Sequence, residues 1–149
     1  MNIYISHPMT GLSGNEVLNY FEDLKNKLEQ WGYFVYCPTT GKYYLRDSEE
    51  LQASGYKNAI SNNHAITERD HWMVSQTDIV FVDFSNSEKV SIGCIAELSW
   101  AYHLNKHVVL ILPKNNIHTH AFVLEMADII FENINEGLEY LQKMVNQSL

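Results

Sequence analysis

Two apolar runs, Asp78-Ile79-Val80-Phe81-Val82-Asp83 and His107-Val108-Val109-Leu110-Ile111-Leu112, flank the stretch Val90-Ser91-Ile92-Gly93-Cys94-Ile95-Ala96-Glu97-Leu98-Ser99-Trp100-Ala101-Tyr102. The runs have the length and β-branched content of strands, and the unbroken second one suits a strand covered on both faces. The stretch between them reads as a helix with a serine near its start. Strand, helix and strand in this order make a parallel unit. One residue of the helix is out of keeping with its surroundings. Glu97 has Gly93 and Cys94 one turn before it and Trp100 and Ala101 one turn after it, and none of these is a cation. Such a carboxylate either faces a pocket, with a glycine removing bulk and a tryptophan offering a flat wall, or is a solvated glutamate on an amphipathic helix.

The pattern repeats along the chain. Asn2 to Ser6 is a short apolar strand ending in the turn-rich His7-Pro8-Met9-Thr10-Gly11-Leu12-Ser13-Gly14. Val17, Leu18, Phe21, Leu24, Leu28 and Trp31 then fall at helical steps, closed by Gly32, and Tyr33 to Tyr36 is a second strand stopped by Pro38. Thr39 to Asn63 has no sustained period and reads as a loop carrying short helical turns, of the kind that covers a binding site. A helix follows from about His64 to Gln76, then the two strands and the helix already described. Phe122, Val123 and Met126 mark a short helix, Asp128 to Phe131 a fifth strand, and Ile134, Leu138, Leu141 and Val145 a closing helix.

Five alternations of strand and helix predict a single α/β domain over 1–149: a flavodoxin- or Rossmann-like three-layer sandwich with a five-stranded parallel sheet. Ligands of such sheets sit at the carboxyl ends of the strands, near the point where strand order reverses. The loops Ser6–Gly11, Phe84–Ser91 and Pro113–His120 are expected to meet there. This places Ser91 at the pocket, and Glu97 near it if its helical face turns inward.

Bulk properties narrow the function. The 149 residues carry a net charge of −8 with ten Lys and Arg, which argues against a nucleic acid polymer as partner. A small anion remains compatible, because backbone N–H groups at a helix start bind phosphate without net positive charge. The two cysteines, Cys37 and Cys94, have no CxxC spacing and fit a reducing compartment. The amino terminus lacks the basic and long apolar regions of a signal peptide, and no run approaches the ~20 apolar residues of a membrane span. These features predict a cytoplasmic protein with no membrane partner.

Among candidate chemical groups, Asp70 would be a second carboxylate for acid–base work beside Glu97, or an exposed helix acid. Asp78 marks a strand start, whereas Asp83 could reach the pocket from a strand end. His118 and His120 form an HxH pair without a third ligand of suitable spacing, so no metal is expected. Walker, GxGxxG and GxSxG patterns are absent from the sequence.

Ile3-Tyr4-Ile5-Ser6 at the start, Arg69-Asp70 shortly before Asp78-Ile79-Val80, and Ser91 to Ala101 followed by Lys106-His107-Val108-Val109 together resemble the nucleoside 2-deoxyribosyltransferase family, including the related 2'-deoxynucleoside 5'-monophosphate N-hydrolases. The resemblance runs from the first strand to the closing helix and is weakest between Pro38 and Asn63. It implies cleavage of an N-glycosidic bond without a cofactor. Glu97 would attack the anomeric carbon to give a glycosyl ester, later released to water or to a second base. Asp70 would position the substrate and manage the proton of the leaving base, and Tyr4 would orient Glu97. Ser6, His7, Gly11, Trp72, Ser91, Gly93 and His120 are the implied substrate contacts, with Trp72 and the 39–63 loop governing base choice.

One position departs from the transferase pattern. Transferases acting on free nucleosides place an aspartate six residues before the nucleophile, and here that residue is Ser91. The monophosphate hydrolases have serine there, and a serine at a helix start suits a phosphate where aspartate would repel it. The first loop lacks the arginine of those hydrolases, leaving His7, Thr10 or His120 to substitute. The resemblance also implies a homodimer or larger homo-oligomer, with His118 to Phe122 completing a neighbour's site. The alternative is a nucleotide-binding or sensing module that keeps the pocket without turnover.

Overall fold

The first strand, β1 (Asn2–Ser6), is buried on both faces and lies inside the sheet. The computed structural model describes residues 1–146. Their sheet is five-stranded and entirely parallel, in the order β2-β1-β3-β4-β5, with β2 Phe34–Tyr36, β3 Ile79–Asp83, β4 His107–Ile111 and β5 Ile129–Phe131. Strand order reverses between β1 and β3, which places the crevice for a ligand at their carboxyl ends.

Alternation along β1 divides its side chains between the two layers of helix. Ile3 and Ile5 join Phe81, Val109 and Ile111 beneath α1 (Gly14–Gln30) and α5 (Ile134–Asn146). Tyr4, Val80, Val82, Val108 and Leu110 face α2 (Asn63–Ser75), α3 (Ile92–His103) and α4 (Ala121–Glu125). This is the predicted three-layer sandwich, with strand and helix ends within a few residues of those read from the sequence. Helix α1 starts three residues earlier than its first periodic residue, because Ser13 and Glu16 close a reciprocal capping box there. Among the described residues no helix is long and apolar enough to cross a membrane.

The aperiodic region between β2 and α2 carries two short 3-10 turns, Tyr43–Leu45 and Ala59–Ser61. It is fixed to the start of α1 by backbone bonds, Gly11 N–H to Leu51 O at 2.9 Å, Leu51 N–H to Leu12 O at 2.8 Å and Gly14 N–H to Ser48 O at 2.8 Å. The Arg46 guanidinium adds bonds to Asn15, Asn19 and Glu22 of α1. Leu45 and Leu51 are buried in the core, so this region forms a packed roof.

A Cβ added at Gly14 would lie 1.7 Å from the Leu45 carbonyl oxygen, a backbone atom that cannot move away alone, whereas one at Gly137 would meet the flexible end of Ile111 at 2.4 Å. Gly14→Ala is therefore expected to destabilise the fold by about 1–3 kcal/mol or more, and more than Gly137→Ala, in urea unfolding monitored by circular dichroism.

Candidate active site

Helix α3 buries Cys94, Glu97, Leu98 and Ala101, the i, i+3, i+4, i+7 stripe of an amphipathic helix, so Glu97 lies within the stripe that faces the sheet. Its side chain is only 7% exposed. Burial without partners would make such a carboxylate very costly. Tyr4 and Ser6, which alternation places on the same face of β1, supply the partners. Tyr4 Oη donates to Glu97 Oε1 at 2.7 Å and Ser6 Oγ donates to Oε2 at 2.5 Å. Burial pushes the Glu97 carboxyl up to about 7, and the charge of Asp70 adds to this. The Ser6 and Tyr4 hydroxyls and the Lys42 ammonium pull the other way. The phenol of Tyr4 is held protonated, first by burial and then by the charge of Glu97.

Asp70 of α2 is buried, and Arg69 forks onto one of its oxygens through Nε at 3.0 Å and Nη2 at 2.9 Å. Burial raises the Asp70 carboxyl, opposed by Lys42 and Arg69. The same guanidinium donates to the carbonyls of Ile60 and Pro38, tying the roof to α2. Lys42, from the roof, is 5% exposed, and burial lowers its ammonium to about 8.

These groups share a cavity of about 520 Å³ at the β1/β3 switch point. Asp70, Glu97, Lys42 and Ser91 line it, with Leu45, Ile66 and Trp100 among its apolar walls. His7 and Thr10 enter from the loop after β1, Lys89 and Gly93 from the segment leading into α3. Two of the three expected loops therefore meet there. The loop after β4 does not line the cavity; the roof after β2 takes its place, because the switch point lies on the β2 side of β3. The β4 loop acts indirectly: His118 stacks on Phe84 at 3.8 Å, and its Nε2 accepts the Ser91 N–H at 2.8 Å. Its Nδ1 lies 3.0 Å from Asn116 Oδ1, an acceptor, which fixes the neutral tautomer with the proton on Nδ1.

A family model described as Nucleoside 2-deoxyribosyltransferase matches residues 3–141. The chain belongs to this family. Its fold is also that of a 2-deoxyribosyltransferase from Bacillus psychrosaccharolyticus, at 19% identity and TM-score 0.68 over 97% of this chain and 96% of that one. A CMP N-glycosidase from Clostridium botulinum matches over the whole of both chains at 19% identity and TM-score 0.58. A conserved protein from Enterococcus faecalis V583 matches at 15% identity and TM-score 0.68 over 100% of this chain and 99% of that one. No curated protein matches the chain.

Of the residues that the deoxyribosyltransferase resemblance singles out, the structure brings Tyr4, Asp70, His7, Ser91, Gly93 and Glu97 together. Four others have different surroundings. Ser6 is fully buried and its hydroxyl is committed to Glu97, so it positions that carboxylate instead of lining the cavity. Gly11 adopts φ +88° and its N–H is taken by Leu51 O, so it serves a turn, and Thr10 beside it lines the cavity. Trp72 is 54% exposed and packs edge-on against Tyr36, outside the cavity; Trp100 supplies the aromatic wall. His120 is exposed and caps α4 by accepting the Phe122 N–H. Asp83 stays below the loops, accepting from Tyr20 Oη at 2.6 Å, with His7 stacked on the Tyr20 ring. Lys42 was not foreseen, because it lies in the one stretch without a periodic pattern.

Glu97 is faced by Tyr4 and Ser6 from β1, Asp70 from α2, Lys42 from the roof and Cys94 of its own helix. A carbon-13 NMR titration of its carboxyl is expected to have a midpoint near 7. Tyr4→Phe and Ser6→Ala should move the midpoint upward, since each removes a bond to the charged form, and Asp70→Asn should move it downward, by up to about one pH unit each.

Proposed function

We propose that the protein cleaves the N-glycosidic bond of a 2'-deoxynucleoside 5'-monophosphate through a glycosyl ester on Glu97, with water as acceptor. The observation that carries this reading is the Glu97 carboxylate, buried at the cavity and held at both oxygens by hydroxyls of β1. Two fixed hydrogen bonds orient the carboxylate, and a dry setting strengthens it as a nucleophile toward an electron-poor anomeric carbon. In the first step a Glu97 oxygen bonds to C1' while the C1'–N bond breaks and its electron pair leaves with the base. In the second, water adds to C1', displaces Glu97 and supplies the proton that the free base carries. Asp70, paired with Arg69 on the same cavity, positions the substrate and relays that proton.

The preference for a 5'-phosphate rests on Ser91. It caps α3, its Oγ accepting the Cys94 N–H at 3.3 Å, where a phosphate meets free N–H groups and a hydroxyl instead of a repelling carboxylate. Lys89, two residues earlier and also lining the cavity, supplies a cation that the first loop lacks. A module that only binds or senses nucleotides would have little use for a buried carboxylate poised near neutral pH. A second base in place of water would make the same site a transferase.

Chromatographic detection of free base, over deoxynucleosides and their monophosphates with and without a second base, tests the reading. Base is expected from monophosphates in water alone, and Glu97→Ala should lower the rate by a factor of about 10³ or more. Ser91→Asp should shift preference toward free nucleosides. Exchange that requires a second base would establish transfer, and binding without any base release would leave the sensor. Because Glu97 must be ionised to attack, kcat/KM of the wild type should fall as the pH drops through about 7.

A further inference from the structure

We infer that Lys42 binds the leaving base: its ammonium donates to the acceptor beside the glycosidic nitrogen, the 2-oxo group of a pyrimidine or N3 of a purine, and holds the negative charge the base carries off. The inference rests on the N-glycosidic reading of Glu97 and adds the residue that activates the departing group.

Lys42 is buried, yet its ammonium makes no hydrogen bond or ion pair among the described residues. Every fully enclosed side-chain nitrogen or oxygen there has a partner, so an ammonium without one must open onto the cavity that Lys42 lines. The three donors of this cation are therefore directed to whatever occupies the cavity and not to the protein. Its backbone is not free to swing out. The Lys42 N–H is bonded to Thr39 O at 2.9 Å and its carbonyl accepts the Leu45 N–H at 2.9 Å. Gly41 before it has φ +77°, and the roof is clamped to α2 by Arg69. Placement of the charge is thus a built feature of the fold.

The electrostatic surroundings point to the base and not to the phosphate. After burial, which is the largest effect on Lys42, the charges that act on it are Asp70, then Arg69, then Glu97, so both carboxylates of the reacting end are among them, while Ser91 and Lys89 lie at the approach to α3. The apolar walls of the same cavity, Leu45, Ile66 and Trp100 among them, suit a flat ring. An ammonium offers donors only, so it can recognise only an acceptor. As the ester forms, one negative charge leaves Glu97 and appears on the base, chiefly at the atom next to the nitrogen being released. Lys42 interacts with the charge at its origin and can follow it to its destination without reorganising. No proton need leave Lys42; the base takes its proton from the water that opens the ester. Although burial lowers the ammonium to about 8, it remains mostly charged at neutral pH.

The test compares wild type, Lys42→Met and Lys42→Arg on the 5'-monophosphates of deoxyuridine, 5-fluorodeoxyuridine and 5-nitrodeoxyuridine, whose bases leave progressively more easily. Lys42→Met is expected to lose about 100-fold in kcat/KM on the uracil substrate and less than about ten-fold on the nitro substrate, since a stable anion needs less help. Lys42→Arg, which keeps the cation, should retain the wild-type dependence on the leaving group. Melting temperature should not fall in Lys42→Met, because the ammonium has no protein partner to lose. Equal losses of Lys42→Met on all three substrates, or none, would overturn the inference while leaving Glu97 catalysis intact. Wild-type enzyme that releases base from none of them would remove both readings together.

Discussion

The carboxylate of Glu97, lying under α3 and against the end of β1, is held by two hydroxyls, and the arrangement of the site follows from that contact. A buried carboxylate tolerates few geometries. Tyr4 and Ser6 can both reach it because residues two apart on a strand share a face, and α3 lies on that face because β3 is the neighbour of β1. The register, which pairs Tyr4 with Val80 and Ser6 with Val82, aligns the strand ends from which two cavity-lining loops depart. Shifting β1 by one residue would present Ile3 and Ile5 to Glu97 and leave the charge without partners.

Around this contact the charges are matched only in part. Arg69 neutralises Asp70 directly, whereas Glu97 and Lys42 face the cavity as an acid and a cation that do not touch each other. Burial shifts both toward neutrality, the carboxyl up to about 7 and the ammonium down to about 8. In the proposed reaction, a substrate placed between them would receive a nucleophile from the floor and a hydrogen-bond donor from the roof. Such a site is paid for by the rest of the fold, whose continuous core on either side of the sheet keeps the polar groups in place.

The loops are fixed by neutral aromatic and imidazole contacts. His7 stacks on Tyr20, which donates to Asp83, so the loops after β1 and β3 share one anchor. His118 does the same for the turn into α3, from a loop that does not itself reach the cavity. Both imidazoles are lowered by burial, which favours the neutral form that stacking against a ring requires.

The sequence by itself determined the alternation of strands and helices and Glu97 as the residue at odds with its helix, whereas the position of the reversal in strand order came from the pairing of β1 with β3. The first two depend on local periodicity, and the periodicity is strong in α1, β3, β4 and α5. Ser91 was legible as a helix start for the same reason. The tertiary structure decided what local pattern cannot carry. The 39–63 region has no period because its course is set by hydrogen bonds to α1 and by Arg69, so Lys42 could not be placed from its neighbours in sequence. Trp72 and Trp100 look alike as aromatic residues on helices, yet one faces outward and the other lines the cavity. Ser6 and Gly11 lie in the expected loop, but their polar groups are used by Glu97 and Leu51 and are not offered to a ligand. Side-chain direction and hydrogen-bond commitment are properties of packing between elements distant in the chain, and they become fixed only when those elements meet.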